Sequence, residues 1–366
     1  MTRRSSDSSG HASGPSRVMQ RIAGPGELAQ AVPYLLGFHP RRSLVLVGLR
    51  TGELVVTARL DLDDVAAGGD AGRGATLVAQ TIGSMADGGA VELVAVVFDD
   101  DAPVVFDDDA RVVMPGAARG RSPLPWTVLV ERTEQTVAEL PCVLLDALLV
   151  ARGRWWTYAC AGSDCCPPAG RPLPSAPSAF AAAATVDGVV PLPGRESLAA
   201  LLAPLPDPDR EALHPALAAA ENDLVAATLD AHAERHVRSV KRALFAAARA
   251  GDRTSAPPPA ATVARFAVAL LEPGVRDAVW LAVDDRRLDG RGLWRDLARR
   301  LPSPYDAAPL FLFGWASWRA GNGALAGMAA ERALAADPAY GAADLLLAAV
   351  SRGVDPRRFP RLRRSA

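Results

Sequence analysis

Three cysteines crowd one short stretch of this chain. Arg154 to Gly170 reads RWWTYACAGSDCCPPAG, which sets Cys160, Cys165 and Cys166 beside the Trp155-Trp156 pair and ahead of a Pro-Pro break. Thiolates so grouped suit a metal ion or a redox exchange. Tetrahedral zinc sites favour cysteine pairs with about two to four residues between them, plus further ligands. Cys160 and Cys165 meet the upper end of that spacing, but no histidine or further cysteine follows nearby. Successive side chains diverge, so adjacent Cys165 and Cys166 strain to hold one ion, and His39 would have to come from elsewhere in the fold. A disulfide from Cys160 to Cys165 or Cys166 fits the spacing but is disfavoured in a reducing compartment. The plainer account is packing, with small thiols bracing a proline-rich corner under the tryptophan pair.

A second chemistry lies in Val96 to Arg111, a tandem octad reading VVFDDDAP and then VVFDDDAR. Asp99 and Asp101 follow an apolar strand, and carboxylates at a strand's C-terminal end suit Mg²⁺. The pattern is similar to the Asp-x-Asp of haloacid-dehalogenase-like phosphatases. Those enzymes also need a lysine for the phosphoryl group, and Lys241 is the only lysine in the chain. It sits in HVRSVKRALF, away from any glycine-rich loop, so P-loop and kinase chemistry is excluded as well. The structural alternative for the octads is an acidic, solvated loop.

Further charged groups fall in GFHPRRS, where His39, Arg41 and Arg42 stand between a predicted helix and a predicted strand. Two guanidinium groups and an imidazole suit an acidic ligand, and a proline-capped turn with solvated arginines is the structural alternative. Gly24-Pro25-Gly26 before the same helix reads as a simple entry turn. His232 and His236 have the i, i+4 spacing of a zinc-protease helix, but Glu234 follows His232 by two residues and points away from both. A solvated helix face explains them. The six arginines of SRGVDPRRFPRLRRSA attract polyanions without specific nucleic-acid readout.

The elements that must position these groups follow from patterning. The chain has 366 residues, 49% apolar content and a net charge of −1, an ordinary globular balance with room for two domains. No apolar window is long enough for a membrane span, and residues 1–19 have arginines with no apolar core behind them. That predicts a disordered tail, not a signal peptide, and a cytoplasmic protein with reduced cysteines. Residues 26–36 predict a helix, Ser43–Leu49 and Glu53–Leu60 a hairpin around Arg50-Thr51-Gly52, and Ala75–Met85 a helix. Val91–Phe98 predicts a buried strand, Trp126–Leu140 a helix, and Cys142–Val150 with Trp155–Ala159 two strands meeting near Gly153. This is a mixed α/β domain over residues 20–170.

Residues 171–177 form a proline-rich junction, with a hinge or loose connection expected within Pro167 to Pro177. Composition then turns Ala/Leu-rich, predicting a helical domain over residues 178–356 and a basic tail over 357–366. The stretch Ala307 to Tyr340, AAPLFLFGWASWRAGNGALAGMAAERALAADPAY, is similar to a tetratricopeptide repeat. Gly314, Ala326 and Ala333 are its small interhelical residues, and Leu310 replaces the repeat's usual aromatic. A single unit cannot bury both faces, so preceding helices should stack on it.

With GPGELAQAVPYLLGFHPRRSLVLVGL at Gly24 to Leu49, the cysteine-bearing stretch resembles an actinobacterial family numbered 4192 among domains of unknown function. The resemblance runs from about Ile22 to the end and implies a domain plan without a reaction. The expected fold is therefore an α/β mixed-sheet domain followed by an all-α, tetratricopeptide-like domain. The expected function is a non-catalytic interaction or scaffold protein that binds a protein or peptide partner through the helical domain. No cofactor, membrane or specific nucleic acid is called for. The alternatives are a small-ligand-binding protein or Mg-dependent enzyme at the sheet edge, near His39 and Asp99/Asp101, and a thiol-based metal or redox sensor.

Overall fold

The computed structural model describes residues 24–67, 72–102, 105–106, 112–113, 124–160, 167, 169–186, 189–250, 258–285 and 287–362. Helix α1 (Pro25–Leu36) starts on a proline and ends at Gly37, whose φ of 81° lets its N–H reach the Pro33 carbonyl. The hairpin β1 (Ser43–Arg50) and β2 (Glu53–Asp61) follows, then α2 (Leu62–Ala66) and α3 (Arg73–Asp87). Thr51 and Gly52 take φ of 51° and 77°, the paired left-handed geometry of a tight hairpin turn. Next come β3 (Glu92–Phe98), the short pair β4 (Val105–Phe106) and β5 (Val112–Val113), and α4 (Thr127–Ala138). Strands β6 (Val143–Ala151), β7 (Arg154–Thr157) and β8 (Arg171–Pro172) complete the sheet region.

Six strands lie in the order β2-β1-β3-β6-β7-β8. Strand β1 runs antiparallel to both neighbours, and β3 runs parallel to β6 through the crossover that carries α4. The register sets Ser43 opposite Phe98, and Phe98 opposite Val150. The start of β1 therefore lies at the C-terminal end of the parallel pair. Both faces of the central strands are apolar. Leu44, Leu46, Leu93, Ala95, Val97 and Leu149 pack with Val78, Ile82 and Met85 of α3 and with Leu129, Val130 and Val137 of α4. Val45, Val47, Val94, Val96 and Leu148 pack on the other face with Leu28, Val32 and Leu36 of α1.

The helical region comprises α5 (Ala179–Val186), α6 (Arg195–Ala200), α7 (Asp207–Glu211), α8 (His214–Leu229), α9 (Ala233–Ala250), α10 (Ala260–Leu271) and α11 (Pro273–Asp284). It continues with α12 (Arg291–Arg300), α13 (Ala307–Arg319), α14 (Gly323–Ala336) and α15 (Gly341–Ser351). The fold class is thus a mixed α/β sheet followed by helices. The long helical pattern of 210–250 is interrupted at Ala231, whose φ is 57°. None of the helices among the described residues is long and apolar enough to cross a membrane.

Every residue of α13 is buried, so it forms the axis of the helical core. Phe311, Trp315 and Trp318 stack edge-on with Trp280 and Phe359 around it. Truncating a core tryptophan such as Trp315 to alanine costs about 3–5 kcal/mol. Its neighbour α14 faces two ways. Ala326, Ala329, Ala330 and Ala333 pack into the helical core, and Ala324, Leu325 and Met328 pack against the cluster that α1 forms with the sheet, Leu325 and Met328 reaching both.

The proline-rich junction is tied to the sheet. Arg171 and Pro172 pair with β7, and Gln30 of α1 donates through Nε2 to the carbonyls of Pro174 and Ala176, each at 3.0 Å. Its Oε1 accepts from the Ser178 N–H at 2.7 Å. Prolines here lack donors, but their carbonyls and their neighbours' still accept. Trp156 packs beneath Gly170, which has φ of 70°, and a Cβ there would stand 2.3 Å from the indole. Successive side chains in a strand face opposite ways, so Trp155 joins the α1 face and Trp156 the α3/α4 face.

A Cβ on Gly314 would meet Leu346 at 2.9 Å and Ala329 at 3.1 Å. Gly314→Leu should therefore overpack the crossing of α13, α14 and α15 and destabilise the fold by roughly 1–3 kcal/mol. A calorimetric melt of the variant checks this, and an unchanged midpoint would show that the crossing has slack.

Candidate functional site

Asp99 follows the last residue of β3 and is only 2% exposed. A carboxylate so placed needs partners. Its Oδ2 accepts from the Trp126 indole Nε1 at 2.8 Å, its Oδ1 accepts from the Asp101 N–H at 3.3 Å, and the Arg42 guanidinium stands 3.7 Å away. The acidic, solvated loop expected at this point is thus a buried anchor at Asp99. The second octad's aspartates, Asp107 to Asp109, lie outside the described residues.

Two non-glycine residues that touch Asp99 hold left-handed backbone, Arg42 with φ of 40° and Trp126 with φ of 65°. Such geometry is uncommon outside glycine and persists only where surrounding contacts impose it. Arg42 is held from both sides. Its carbonyl accepts from the Leu62 N–H at 2.9 Å, and Nη2 donates to Asp63 Oδ1 at 2.6 Å. The hydrogen bond and charge of Asp63 raise the Arg42 pKa, with Asp99 and Asp101 adding to it. Trp126 opens α4, and the preceding Pro125 carbonyl accepts from the Tyr158 hydroxyl at 2.5 Å. Burial first, and then the Asp99 charge, pushes the Tyr158 phenol above its ordinary pKa and keeps it a neutral donor.

Other loops reach the same end of the sheet. The Arg152 N–H donates to Asp100 Oδ1 at 2.6 Å across the β6–β7 turn. Buried Ser43 accepts from Arg59 Nε at 2.8 Å, and Arg59 pairs with Asp61. Asp61 also lies 3.8 Å from Arg195, the first residue of α6. The His39 N–H donates to the Leu192 carbonyl at 2.9 Å, and the Leu192 N–H donates to Gly37. The His39 and Arg41 side chains are exposed.

His39, Arg41, Arg42, Asp99 and Asp101 therefore gather at one end of the sheet. Cys160 is half-buried beyond β7, and Cys165 and Cys166 lie outside the described residues. Cys142 is buried, and burial raises its thiol pKa, which suits packing more than reaction. Among the described residues no three His, Cys, Asp or Glu side chains converge as a metal ligand set. His232 falls in the break before α9, with Nδ1 3.3 Å from Arg235, and Glu234 turns to Arg238 at 3.4 Å.

Trp126, Asp63, Tyr158, Arg152 and Arg195 were not singled out from sequence. Pro125-Trp126 at a predicted helix start was the one available signal. The others depend on which strand ends meet.

The class defined by these observations is a mixed α/β sheet with a loop-built polar cluster at the C-terminal end of its parallel pair, backed by a helical layer. Residues 25–357 match the family described as a domain of unknown function (DUF4192), and the chain belongs to that family. No curated protein and no solved structure matches it.

Asp99→Ala would leave the Trp126 N–H without its acceptor and would remove the carboxylate that stands 3.7 Å from the Arg42 guanidinium. We expect a loss of about 1.5–3 kcal/mol in denaturant unfolding, the range for hydrogen bonds to charged groups. Arg41→Ala should change stability by less than about 0.5 kcal/mol. Equal midpoints for Asp99→Ala and wild type would refute the anchoring role.

Proposed function

We propose that the protein binds a small acidic ligand, one bearing phosphate or carboxylate groups, at the end of the sheet where β1 begins and β3 ends. The observation that carries this is the fixing of Arg42 between Asp63 and buried Asp99, beside the exposed His39 and Arg41. In this reading Asp99 and Asp63 are positioning residues that hold Arg42 in its left-handed conformation. Arg41 and His39 supply donors that the protein's own carboxylates do not consume. Ligands in open α/β sheets commonly sit beyond the carboxyl ends of parallel strands, which supports the same location. The reading takes the protein as cytoplasmic.

The interaction or scaffold role is the second reading. Its specific support is the outer face of α8, where Val225 and Leu229 are 57% and 81% exposed one helical turn apart. The likeness of residues 307–340 to a tetratricopeptide repeat points the same way.

Titration with inorganic pyrophosphate and with citrate, at constant ionic strength, separates the two. Binding to the folded state alone raises the melting temperature. We expect wild type to rise by several degrees and a His39→Ala/Arg41→Ala variant, equally stable without ligand, to lose most of that rise. No rise with either anion, or the same rise in the variant, would remove the ligand reading. Loss of native binding partners in a Val225→Asp/Leu229→Asp variant would favour the interaction reading.

A further inference from the structure

A cleft of about 370 Å³ opens between α6 and α14. That volume suits a small molecule, and such sites favour the seams between packed layers. Each helix turns one face into it. Arg195 and Ala199 lie four residues apart on α6, and Met328, Glu331 and Arg332 fall at i, i+3 and i+4 on α14. Leu202, just past α6, completes an apolar wall with Ala199 and Met328. The seam is that between the two cores. Leu198 of α6 packs on the sheet side and Leu202 in the helical core, and Met328 reaches both.

The charged groups at this cleft are not equivalent. The Arg332 side chain is only 29% exposed, and its contacts do not fill the five donors of a guanidinium. Nη1 donates to the Leu202 carbonyl, and Nη2 stands 3.9 Å from Asp306 Oδ2, too far for a hydrogen bond. Asp306 itself accepts from the Ser303 hydroxyl at 3.1 Å. Burial lowers the Arg332 pKa more than the Asp306 charge raises it, so this cation is short of a partner. Arg195, across the cleft, has one carboxylate near it, Asp61 at 3.8 Å. Of the two acids, Glu196 folds back over Gly194, where a Cβ would stand 2.7 Å from its Oε2, and Glu331 is exposed. A half-buried cation is screened less than an exposed carboxylate, so the cleft favours an anion.

We propose that this cleft is a second binding site and takes a small monoanion with an apolar body, of the class of medium-chain carboxylates. The acid pairs with Arg332, which can meet a carboxylate with two donors, and Arg195 adds to the attraction. The apolar body lies on Ala199, Leu202 and Met328, and the unbranched thioether adapts to its shape. A ligand so placed bridges α6 and α14. The site goes beyond the sheet-end reading, since it uses none of His39, Arg41 and Arg42.

The test uses the full chain and the fluorescent anion anilinonaphthalene sulfonate, displaced by octanoate or by its neutral counterpart octanamide. We expect saturable, single-site dye binding to wild type, with octanoate displacing the dye at a concentration at least about tenfold below that of octanamide. Ala199→Trp fills the cleft from an exposed position and should weaken dye binding at least about tenfold. Arg195→Ala should cut the advantage of octanoate over octanamide at least about threefold. His39→Ala/Arg41→Ala should bind the dye as wild type does. Unaltered binding by a folded Ala199→Trp chain overturns the cleft, and equal displacement by octanoate and octanamide overturns the anion. Loss of dye binding in His39→Ala/Arg41→Ala would place the ligand at the sheet end and overturn a separate site. Should Ala199→Trp fail to fold, Arg195→Ala decides, and an undiminished octanoate advantage there overturns the assignment.

Discussion

Strands β1, β3 and β6 carry apolar side chains on both faces, and everything else in the fold answers that constraint. Leu44 to Val47, Leu93 and Val96 to Val97 are fully buried, so neither face can meet water. Helices α3 and α4 close one side. On the other side α1 is joined by Phe38, by Leu198 of α6 and by Ala324, Leu325 and Met328 of α14. The helical region is thus part of the sheet's own core. The chain reinforces that junction at its far end, where Arg357 Nη2 donates to the Leu54 carbonyl of β2 at 3.1 Å. At the same point burial raises the Asp355 pKa, but the hydrogen bonds and charges of Arg357 and Arg358 outweigh it and leave the carboxyl below its ordinary value.

With β1 and β3 buried almost throughout, polar chemistry falls to the ends of those strands. The antiparallel pairing of β1 with β3 brings the α1–β1 loop to the C-terminal end of β3, and the parallel pairing of β3 with β6 adds the β6–β7 turn. Asp99 then organises that end. Its carboxylate joins the start of α4, through Trp126, to the loop before β1, through Arg42. Left-handed backbone at both contacts is sustained because each residue is held at more than one point. His39 and Arg41 project from a loop that cannot shift freely.

Much of this architecture was legible in the sequence because periodicity reports burial directly. The runs SLVLVGL and ELVAVVF marked central strands, and the small residues Gly314, Ala326 and Ala333 marked a helix crossing. What stayed hidden was adjacency. Nothing in VVFDDDA shows that the first aspartate is buried and the next two are not, since that depends on a tryptophan 27 residues later. Likewise the arginines of 357–362 read as a solvated basic tail. Asp355 pairs with two of them, while Phe359 and Leu362 pack on the helical core. At the junction, proline content reports missing donors and says nothing of the carbonyls that Gln30 of α1 uses.

We propose that Asp99 holds Arg42 so that this end of the sheet takes an anion. Guanidinium Nε–Hε resonances of ¹⁵N-arginine-labelled protein test it most directly, residue by residue, during titration with inorganic pyrophosphate. An anion at this end predicts saturable shifts at Arg41 and Arg42, a still signal from Arg319 in the helical core, and loss of the Arg42 shift in Asp99→Ala. Shifts spread evenly over exposed arginines, or none at Arg41 and Arg42, would contradict it.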